Sequence, residues 1–195
     1  PDAGVSPGAA PPIGIALGAA AAGFGTDGIR GRVGSTITPA LALQLGYWCG
    51  VVLPGDGPVL IGTDSRSSGP MLVAALSAGL TAAGRQVLQL GLCPTPAVPG
   101  TIRRIAAAGG LMVSASHNPP HDNGIKVFDG GGSKLGRQMQ QAIEAGLRGE
   151  RPAPAFHGEG AVEVRSDLIE AYSQGLLESA GGRRLDGVKV VLDLC

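Results

Sequence analysis

The sequence has 195 residues, enough for one α/β domain with its own core and for part of a second domain. It is 44% hydrophobic and 15% charged, a balance that favours a folded globular protein over a disordered one. The 15 Lys and Arg residues equal the 15 Asp and Glu residues in number, so no basic excess points to a nucleic-acid partner.

The amino-terminal segment, residues 1–23, is rich in Pro, Ala and Gly, which predicts a loose extension outside the fold. Its apolar part at residues 13–23 is too short to span a bilayer, and no Lys or Arg precedes it as in a secretory signal peptide. Cys49, Cys93 and Cys195 form no C-x-x-C pair and are expected to be reduced, mostly buried thiols. We therefore expect a cytoplasmic protein with no membrane partner.

Strand and helix patterns alternate from residue 24 onwards. Thr38 followed by Pro39 predicts an N-capped helix that runs to about Val52. Hydrophobic runs and periodicity then predict a strand at 59–62, a helix at 70–83, a strand at 86–90, a helix at 97–108 and a strand at 110–115. A strand at 125–128 and a helix near 137–147 follow. Since Asn123-Gly124 is typical of a tight turn, we expect the strand after it to return antiparallel.

This alternation predicts a three-layer α/β/α fold with a doubly wound mixed sheet. Residues 149–165 have the composition of a polar linker, and Ser166 with Asp167 begins a helix predicted to run to about residue 178. The apolar run at 188–194 predicts a strand. We accordingly expect an extension at 1–23, a first domain at 24–165, a connecting helix at 166–185, and at 186–195 the first strand of a second, similar domain that is truncated.

The segment with the richest chemistry, residues 114–126, has the sequence S-A-S-H-N-P-P-H-D-N-G-I-K. A hydrophobic strand delivers Ser116 at its carboxyl end, where open α/β sheets place ligands. His117 is adjacent, and the predicted turn brings Lys126 back towards the serine. A serine that exchanges a phosphoryl group needs such cations and a proton carrier. The alternative is an ordinary turn, because Asn, Pro, Asp and Gly occur in any turn.

Two further segments could bind phosphate. Residues 24–31 (F-G-T-D-G-I-R-G) surround Arg30 with glycines, so this arginine could grip a phosphate as a fork; the alternative is a turn with a solvated arginine. Residues 62–66 (G-T-D-S-R) follow a strand and could bind phosphate at a helix N-terminus. For this loop we favour the alternative of helix capping with an internal contact between Asp64 and Arg66.

Three other chemistries fit poorly. Residues 130–134 lack the G-K-[S/T] order of a P-loop, and Ser116 does not lie in the G-x-S-x-G pattern of an α/β-hydrolase. His117 and His121 cannot share a helical face to bind zinc, because Asn118-Pro119 interrupts any helix between them.

Taken together, the segments at 24–31, 62–66 and 114–126 resemble the α-D-phosphohexomutase family, in which motifs of these forms occur in this order. The resemblance covers roughly residues 24–195. Within the family, the F-G-T-D start and the S-A-S-H-N-P serine segment are most similar to the phosphoglucosamine mutases. Phosphomannomutases more often have a Y-D-x-R-G start and a T-G-S-H-N-P segment.

The resemblance implies a four-domain isomerase, an intramolecular phosphotransferase with its active site in a central cleft. The serine that matches Ser116 carries a phosphate and binds Mg²⁺ through it. It gives the phosphate to glucosamine 6-phosphate, and the 1,6-bisphosphate formed returns its other phosphate, leaving glucosamine 1-phosphate. This reaction supplies amino-sugar phosphate for UDP-N-acetylglucosamine and peptidoglycan precursors. A homodimer is an assembly that the sequence leaves open.

The resemblance also implies roles for individual residues. Arg30 and Lys126 match residues that border the phosphoserine and assist transfer, and His117 matches a neighbour that could move protons. Asn118 and Arg66 are expected to help bind phosphate or substrate.

The family's D-G-D-G-D-R metal loop and the loops of its third and fourth domains are absent from this sequence. We therefore expect the 195-residue chain alone to be inactive. Two alternatives remain: a mutase that acts on mannose or glucose phosphates, and a fragment without catalytic activity.

Overall fold

A computed structural model describes residues 23–152, 154, 160–184 and 186–193. The predicted extension at 1–23 therefore lies outside the described residues, apart from Gly23. Strands and helices follow one another as β1 (Ile29–Arg32), α1 (Pro39–Val52), β2 (Val59–Thr63), α2 (Gly69–Ala82), β3 (Val87–Leu92), α3 (Ala97–Ile105), β4 (Gly109–Val113), β5 (Asp122–Asp129), α4 (Arg137–Leu147), β6 (Val162–Val164) and α5 (Asp167–Ser179).

The strands form one mixed sheet in the order β1-β5-β4-β2-β3-β6. Strands β4, β2, β3 and β6 are parallel, whereas β5 runs antiparallel to both β4 and β1. Residues 114–121, which we call the serine loop, are too few for the crossover of a dozen or more residues that a parallel pair requires. The chain therefore has to return antiparallel after β4, and the predicted mixed sheet is confirmed.

Helices cover both faces of this sheet. Helices α1, α2 and α4 pack on one hydrophobic core, and α3 and α5 pack on a second core across the sheet. Strand β2 shows the division, because Val59 and Ile61 belong to the first core and Leu60 belongs to the second. A strand buried on both faces is a continuous apolar run, which is how its sequence appears. The predicted three-layer α/β/α fold is confirmed.

Helix α1 begins where the sequence predicts. The backbone N–H of Leu41 donates to Thr38 Oγ1 at 3.1 Å, and Pro39 occupies the first turn. Helices α1 and α2 then approach each other closely, since a Cβ built on Gly79 would lie 2.0 Å from the carbonyl oxygen of Leu43. This close contact holds α1, which precedes β2, against α2, which follows β2.

Two local predictions, the end of the third helix and the turn at Asn123-Gly124, are wrong. The helix predicted at 97–108 ends at Ile105, because Ala106 adopts a left-handed conformation (φ 51°) and its N–H bonds back to the carbonyl of Ile102. The Asn123-Gly124 pair is not a turn but lies within β5. Asn123 is fully buried, and its side-chain amide donates to Ser68 Oγ at 2.8 Å, so a tertiary contact overrides the local turn preference.

The two ends of the sheet were not predicted. Strand β1 lies in the glycine-rich segment at 24–31, and β6 lies in the predicted linker at 149–165. β6 has only three residues and pairs with β3 while its side chains stay exposed, so no hydrophobic pattern reveals it. Conversely, the strand predicted at 188–194 is not formed at residues 188–193, which are exposed and have no β partner within the described ranges. The division into domains at residue 186 remains a prediction.

Two further features of the structure concern the burial of the cysteines and the length of the helices. Cys49 and Cys93 are buried and free, as predicted, and burial raises the pKa of both thiols; Cys195 lies outside the described residues. None of the helices in the described ranges is long and apolar enough to cross a membrane.

Candidate active site

An open groove lies at the carboxyl ends of the parallel strands β2, β3 and β4, where α/β sheets place ligands. Its volume is about 890 Å³. The groove is lined by residues 64–67 after β2, residues 93–95 after β3, Met112 and Ser114, and the serine-loop residues Ser116, His117, Asn118 and Pro120. The fold therefore brings the predicted serine and the 62–66 segment to one site.

Ser116 is presented outside the sheet. Strand β4 ends at Val113, and Ser116 adopts a left-handed conformation with φ 57°, in which its side chain is exposed. For a residue with a Cβ, that conformation costs roughly 1–2 kcal/mol. Ser114 is buried instead, and its Oγ accepts the Ser116 N–H at 3.0 Å. The two serines differ sharply in exposure.

His117 is the polar side chain next to the Ser116 hydroxyl. Its Nδ1 lies 3.5 Å from Ser116 Oγ, a long hydrogen bond whose direction depends on the imidazole tautomer. The ring is exposed at the mouth of the groove. It is thus placed to exchange a proton with Ser116 or with a group bound there.

Arg30 reaches towards the serine loop across β5. In the register of the sheet, Arg30 lies opposite Gly124, whose carbonyl accepts the Ser114 N–H at 2.9 Å. The Arg30 side chain passes directly over Gly124. Its Nε is buried without a hydrogen-bond partner in the described part of the chain, and Nη2 makes only a 3.5 Å contact with Asp27. A partly exposed guanidinium whose Nε–H is buried and unpaired suits an anionic ligand, because buried donors are normally paired.

Lys126 lies on the same face of β5 as Gly124, two residues away, because side chains alternate along a strand. It pairs in register with Met112, which lines the groove. Within the described ranges, its ammonium group makes no hydrogen bond to another side chain or to the backbone, and it attracts the Asp27 carboxylate only through its charge. Two of the predicted cations, Arg30 and Lys126, are thus on the same face of the sheet and short of partners.

Asp27 carries negative charge beside these cations. Lys134 donates to it at 2.6 Å, and this hydrogen bond, with smaller attractions from Lys126 and Arg30, lowers the pKa of Asp27. Lys126 and Lys134 also line a small cavity of about 120 Å³ beneath residues 24–28. The sequence pattern around Lys134 suggested only a rejected P-loop fragment, and its pairing with Asp27 was missed because the two residues are far apart in the chain.

Arg66, in the loop after β2, lines the groove together with Ser116. Its guanidinium contacts Asp64, as the favoured alternative for the 62–66 segment predicts, with Nε 3.2 Å from Oδ2. The capping part of that prediction is wrong, because the N-cap residue Ser68 makes no side-chain cap bond and instead accepts from Asn123. Asn118 in the serine loop donates a hydrogen bond from its side-chain amide Nδ2 to Asp122 Oδ2 at 3.0 Å. The predicted phosphate contacts of Arg66 and Asn118 remain predictions.

The described residues do not make up a metal site by themselves. No cluster of three or more His, Cys, Asp or Glu side chains is placed to hold a metal ion within the described ranges. Near Ser116, the carboxylates of Asp64 and Asp122 are held by Arg66 and Asn118. Mg²⁺ takes about six oxygen ligands, several of which are usually waters, so these carboxylates alone do not define a site for it.

The fold and the groove define an α/β/α domain of the kind that holds ligands at strand ends. Residues 21–153 match the family described as phosphoglucomutase/phosphomannomutase, alpha/beta/alpha domain I. The chain therefore belongs to the phosphoglucomutase/phosphomannomutase family. This agrees with the resemblance to the phosphohexomutases found in the three sequence segments.

Curated relatives point to one branch of the family. The chain is 71% identical over 173 residues to a phosphoglucosamine mutase of Synechococcus sp. (strain WH7803), covering 88% of this chain and 37% of the relative. It is 63% identical over 188 residues to a phosphoglucosamine mutase of Prochlorococcus marinus (strain MIT 9313), covering 94% and 40%. The chain thus spans about two fifths of the length of these relatives.

Solved structures share the fold. A putative phosphomannomutase from Thermus thermophilus superposes with a TM-score of 0.71 at 37% identity, over 82% of this chain and 36% of that one. The phosphoglucomutase parafusin from Paramecium, in its open form, superposes with a TM-score of 0.64 over 80% of this chain and 34% of that one. At 18% identity the second similarity concerns the fold alone.

Proposed function

We propose that a full-length enzyme carrying this sequence is a phosphoglucosamine mutase and that Ser116 is its phosphate-carrying residue. The observation that carries the proposal is the Ser116 hydroxyl, exposed in the groove after β4, together with Arg30 on β1, two strands away in the sheet, whose Nε–H is buried and unpaired among the described residues. The names of the two curated relatives described above support glucosamine phosphate as the substrate.

In the proposed reaction, the phosphoryl group of phosphorylated Ser116 moves to the 1-hydroxyl of glucosamine 6-phosphate. The bond between phosphorus and Ser116 Oγ breaks as the new bond to the sugar oxygen forms, and the proton of the sugar hydroxyl passes to Ser116 Oγ by way of His117. The 1,6-bisphosphate then turns around, and its 6-phosphoryl group passes to Ser116 Oγ, leaving glucosamine 1-phosphate. In this second step the proton of Ser116 passes to the sugar 6-oxygen, so one phosphoryl group leaves the enzyme and one returns.

The chain's own residues would contribute mainly position and charge, which are most of what phosphoryl transfer requires. Arg30 would grip two oxygens of the transferring group through its Nε and one Nη, and Lys126 would add a point charge beside it. His117, with Nδ1 at 3.5 Å from Ser116 Oγ, would carry the proton to or from the serine.

Mg²⁺ is the metal that we propose for the full-length enzyme. Only the phosphate on Ser116 could hold it among the described residues, since no carboxylate cluster stands there. When bound, the ion would neutralise part of the phosphate charge. Its remaining ligands would be waters and groups other than the side chains of residues 23–152, 154, 160–184 and 186–193.

The wider setting is also a proposal. A cytoplasmic enzyme that supplies glucosamine 1-phosphate for UDP-N-acetylglucosamine and peptidoglycan precursors fits the substrate, and we infer neither a membrane nor a nucleic-acid partner. Whether the enzyme forms a homodimer is open to direct measurement. The alternatives are a mutase acting on mannose or glucose phosphate, and a chain that folds without turning over any substrate.

A substrate comparison tests the proposal. The full-length enzyme is incubated with Mg²⁺, a trace of the matching 1,6-bisphosphate, and glucosamine, mannose or glucose 6-phosphate in separate reactions. We expect conversion to the 1-phosphate to be most efficient, measured as kcat/KM, with glucosamine 6-phosphate. A higher kcat/KM with mannose 6-phosphate would replace the proposal by its first alternative, and no turnover with any of the three would support the second.

A further inference from the structure

The guanidinium group of Arg66 has no donor left for a substrate. An arginine side chain offers five N–H donors, and in Arg66 five acceptors take them up. Nε donates to Asp64, and Nη1 and Nη2 donate to four backbone carbonyls. These are the carbonyls of Ser116 at 2.8 Å, Asn118 at 2.7 Å, Pro119 at 2.7 Å and Asp122 at 2.9 Å.

All four carbonyls belong to the serine loop or to the first residue after it. We infer that Arg66 is a positioning residue that holds the serine loop in its phosphate-accepting shape, and that it does not itself bind phosphate. This inference rests on the proposed function of Ser116. It replaces the expectation that Arg66 is a phosphate ligand with a role defined by its bonded partners.

We call the five hydrogen bonds donated by the Arg66 guanidinium the clamp. The backbone of Ser116 shows what this clamp does. Its backbone N–H is held by Ser114 Oγ at 3.0 Å, and its carbonyl is held by Arg66 Nη2 at 2.8 Å. Both backbone polar groups of the residue are therefore fixed by side chains while its φ stays at 57°. A conformation that is unfavourable for a non-glycine residue persists only where its surroundings over-determine it.

The Arg66 side chain and backbone are themselves held in place by the carboxylate of Asp64. The carboxylate of Asp64 accepts from Arg66 Nε at 3.2 Å and from the Arg66 backbone N–H at 3.1 Å. The side chain of Arg66 is only 12% exposed, which favours a fixed geometry over a mobile surface arginine. Because Asp64 directly follows β2, the clamp ties the end of β2 to the loop that follows β4.

A lysine in place of Arg66 could not make these five hydrogen bonds. An ammonium group is a single point with three donors, whereas the four carbonyls and Asp64 surround a planar fork. Arg66→Lys should therefore loosen the serine loop although it keeps the charge. A misplacement of about 1 Å in a reacting group can cost about 100-fold in rate, so loss of the clamp should appear mainly in turnover.

A matched control exists at the other end of the sheet. Arg85, just before β3, also donates through its guanidinium to three backbone carbonyls, those of Gly50, Leu53 and Gly55. It clamps the end of α1, far from the serine loop. Arg85→Lys therefore reports what losing a carbonyl clamp does to the fold alone.

The experiment compares Arg66→Lys, Arg66→Ala and Arg85→Lys in the full-length enzyme. It measures kcat and KM for glucosamine 6-phosphate, the thermal midpoint, and amide hydrogen exchange in peptides from residues 114–122. We expect Arg66→Ala to lower kcat about 100-fold, Arg66→Lys to lower it at least about tenfold, and KM to change little in either. Exchange in the serine loop should accelerate in both Arg66 variants and not in Arg85→Lys.

Four outcomes would overturn the inference. A large rise in KM with unchanged kcat would make Arg66 a phosphate ligand, and unchanged kcat and KM would leave it without a role in the reaction. Equal loss of kcat in Arg85→Lys would trace the effect to general destabilisation. Unchanged loop exchange in both Arg66 variants would show that there is no clamp. If the wild-type enzyme proved inactive, the proposed function would fail, and the exchange measurement would still test the clamp.

Discussion

The side chain of Arg30 lies over Gly124, at a distance that leaves no room for a Cβ. A Cβ built on Gly124 would lie 2.7 Å from Arg30 Cγ and 2.9 Å from the carbonyl oxygen of Ser114. The glycine on β5 therefore leaves the space in which the Arg30 side chain lies, next to the backbone of the serine loop at Ser114. One residue without a side chain links two of the three sequence segments that point to the family.

Gly124→Ala should damage both the site and the fold. The added methyl group must push Arg30 aside or separate the strands, and overpacking of this kind typically costs about 1–3 kcal/mol of unfolding free energy. We expect a lowered thermal midpoint and a fall in kcat of about 100-fold, since Arg30 would be displaced.

Gly136→Ala is the matched control, because a Cβ built there meets no described atom within 4 Å. It should leave kcat and the thermal midpoint nearly unchanged. Normal kcat in Gly124→Ala would mean that the position of Arg30 over β5 is unimportant for the reaction.

Arg30 and Lys126 should act on the charged transition state. Removing either side chain should cost roughly 2–4 kcal/mol of transition-state stabilisation, by analogy with the loss of a preorganised donor. Arg30→Lys should recover little, because a point charge cannot replace a fork. Stability should change by only about 0.5 kcal/mol in Lys126→Ala, since no described side chain bonds to its ammonium group.

Turnover and thermal midpoint, measured for Arg30→Ala, Arg30→Lys and Lys126→Ala in the full-length enzyme, test this prediction. Lys134→Ala serves as the comparison, because it removes a nearby cation that is already paired with Asp27. Near-normal turnover together with a lowered thermal midpoint would assign these two cations to the fold instead.

The phosphate should be found on Ser116 and not on Ser114. Ser114 is buried and accepts a backbone hydrogen bond, whereas Ser116 is exposed in the groove. Fragment-ion mass spectrometry of the tryptic peptide 105–126 separates the two serines, because Ala115 stands between them. We expect one phosphate, on Ser116, in active enzyme, and its absence in Ser116→Ala, which should have no rapid turnover.

Ser114→Ala provides the complementary measurement. It should still carry phosphate on Ser116, but turnover should be reduced because the Ser116 N–H loses its acceptor. An unsatisfied buried or partly buried donor costs about 1–3 kcal/mol. Phosphate on Ser114 in the wild-type enzyme would contradict the assignment outright.

Local sequence patterns were sufficient to predict a helix or strand whose own residues show its periodicity or its cap. The apolar run of β2 and the cap at Thr38 give positions that the structure confirms, and α4 has the predicted bounds Arg137–Leu147. Strand β1 was missed because four residues in a glycine-rich segment show no alternation. Asn123-Gly124 was misassigned because the contact that holds Asn123 in β5 comes from Ser68, 55 residues away in the chain.

The candidate site likewise contains residues that the sequence could identify and contacts that it could not. The sequence identifies Ser116, Arg30 and Lys126 as chemically suited, because their types and neighbours are local properties. Whether an arginine is free to bind phosphate depends on which carbonyls surround it after folding. The carbonyls that occupy Arg66 lie 50 to 56 residues further along the chain, so no reading of the 62–66 segment could reveal that its donors are already taken.

The 195-residue chain by itself should not interconvert the sugar phosphates. No set of acidic ligands for Mg²⁺ is present within the described residues, and the chain spans about two fifths of its curated relatives. Ser116 would then face an open groove with neither the metal ligands nor the parts that bind the sugar. Incubation with Mg²⁺, glucosamine 6-phosphate and a trace of bisphosphate should give no glucosamine 1-phosphate above a blank without protein. The full-length enzyme at the same concentration is the positive control, and circular dichroism of the short chain checks that its α/β fold is present. Formation of glucosamine 1-phosphate by the folded short chain at a rate near that of the full-length enzyme would show that the site is complete without further domains.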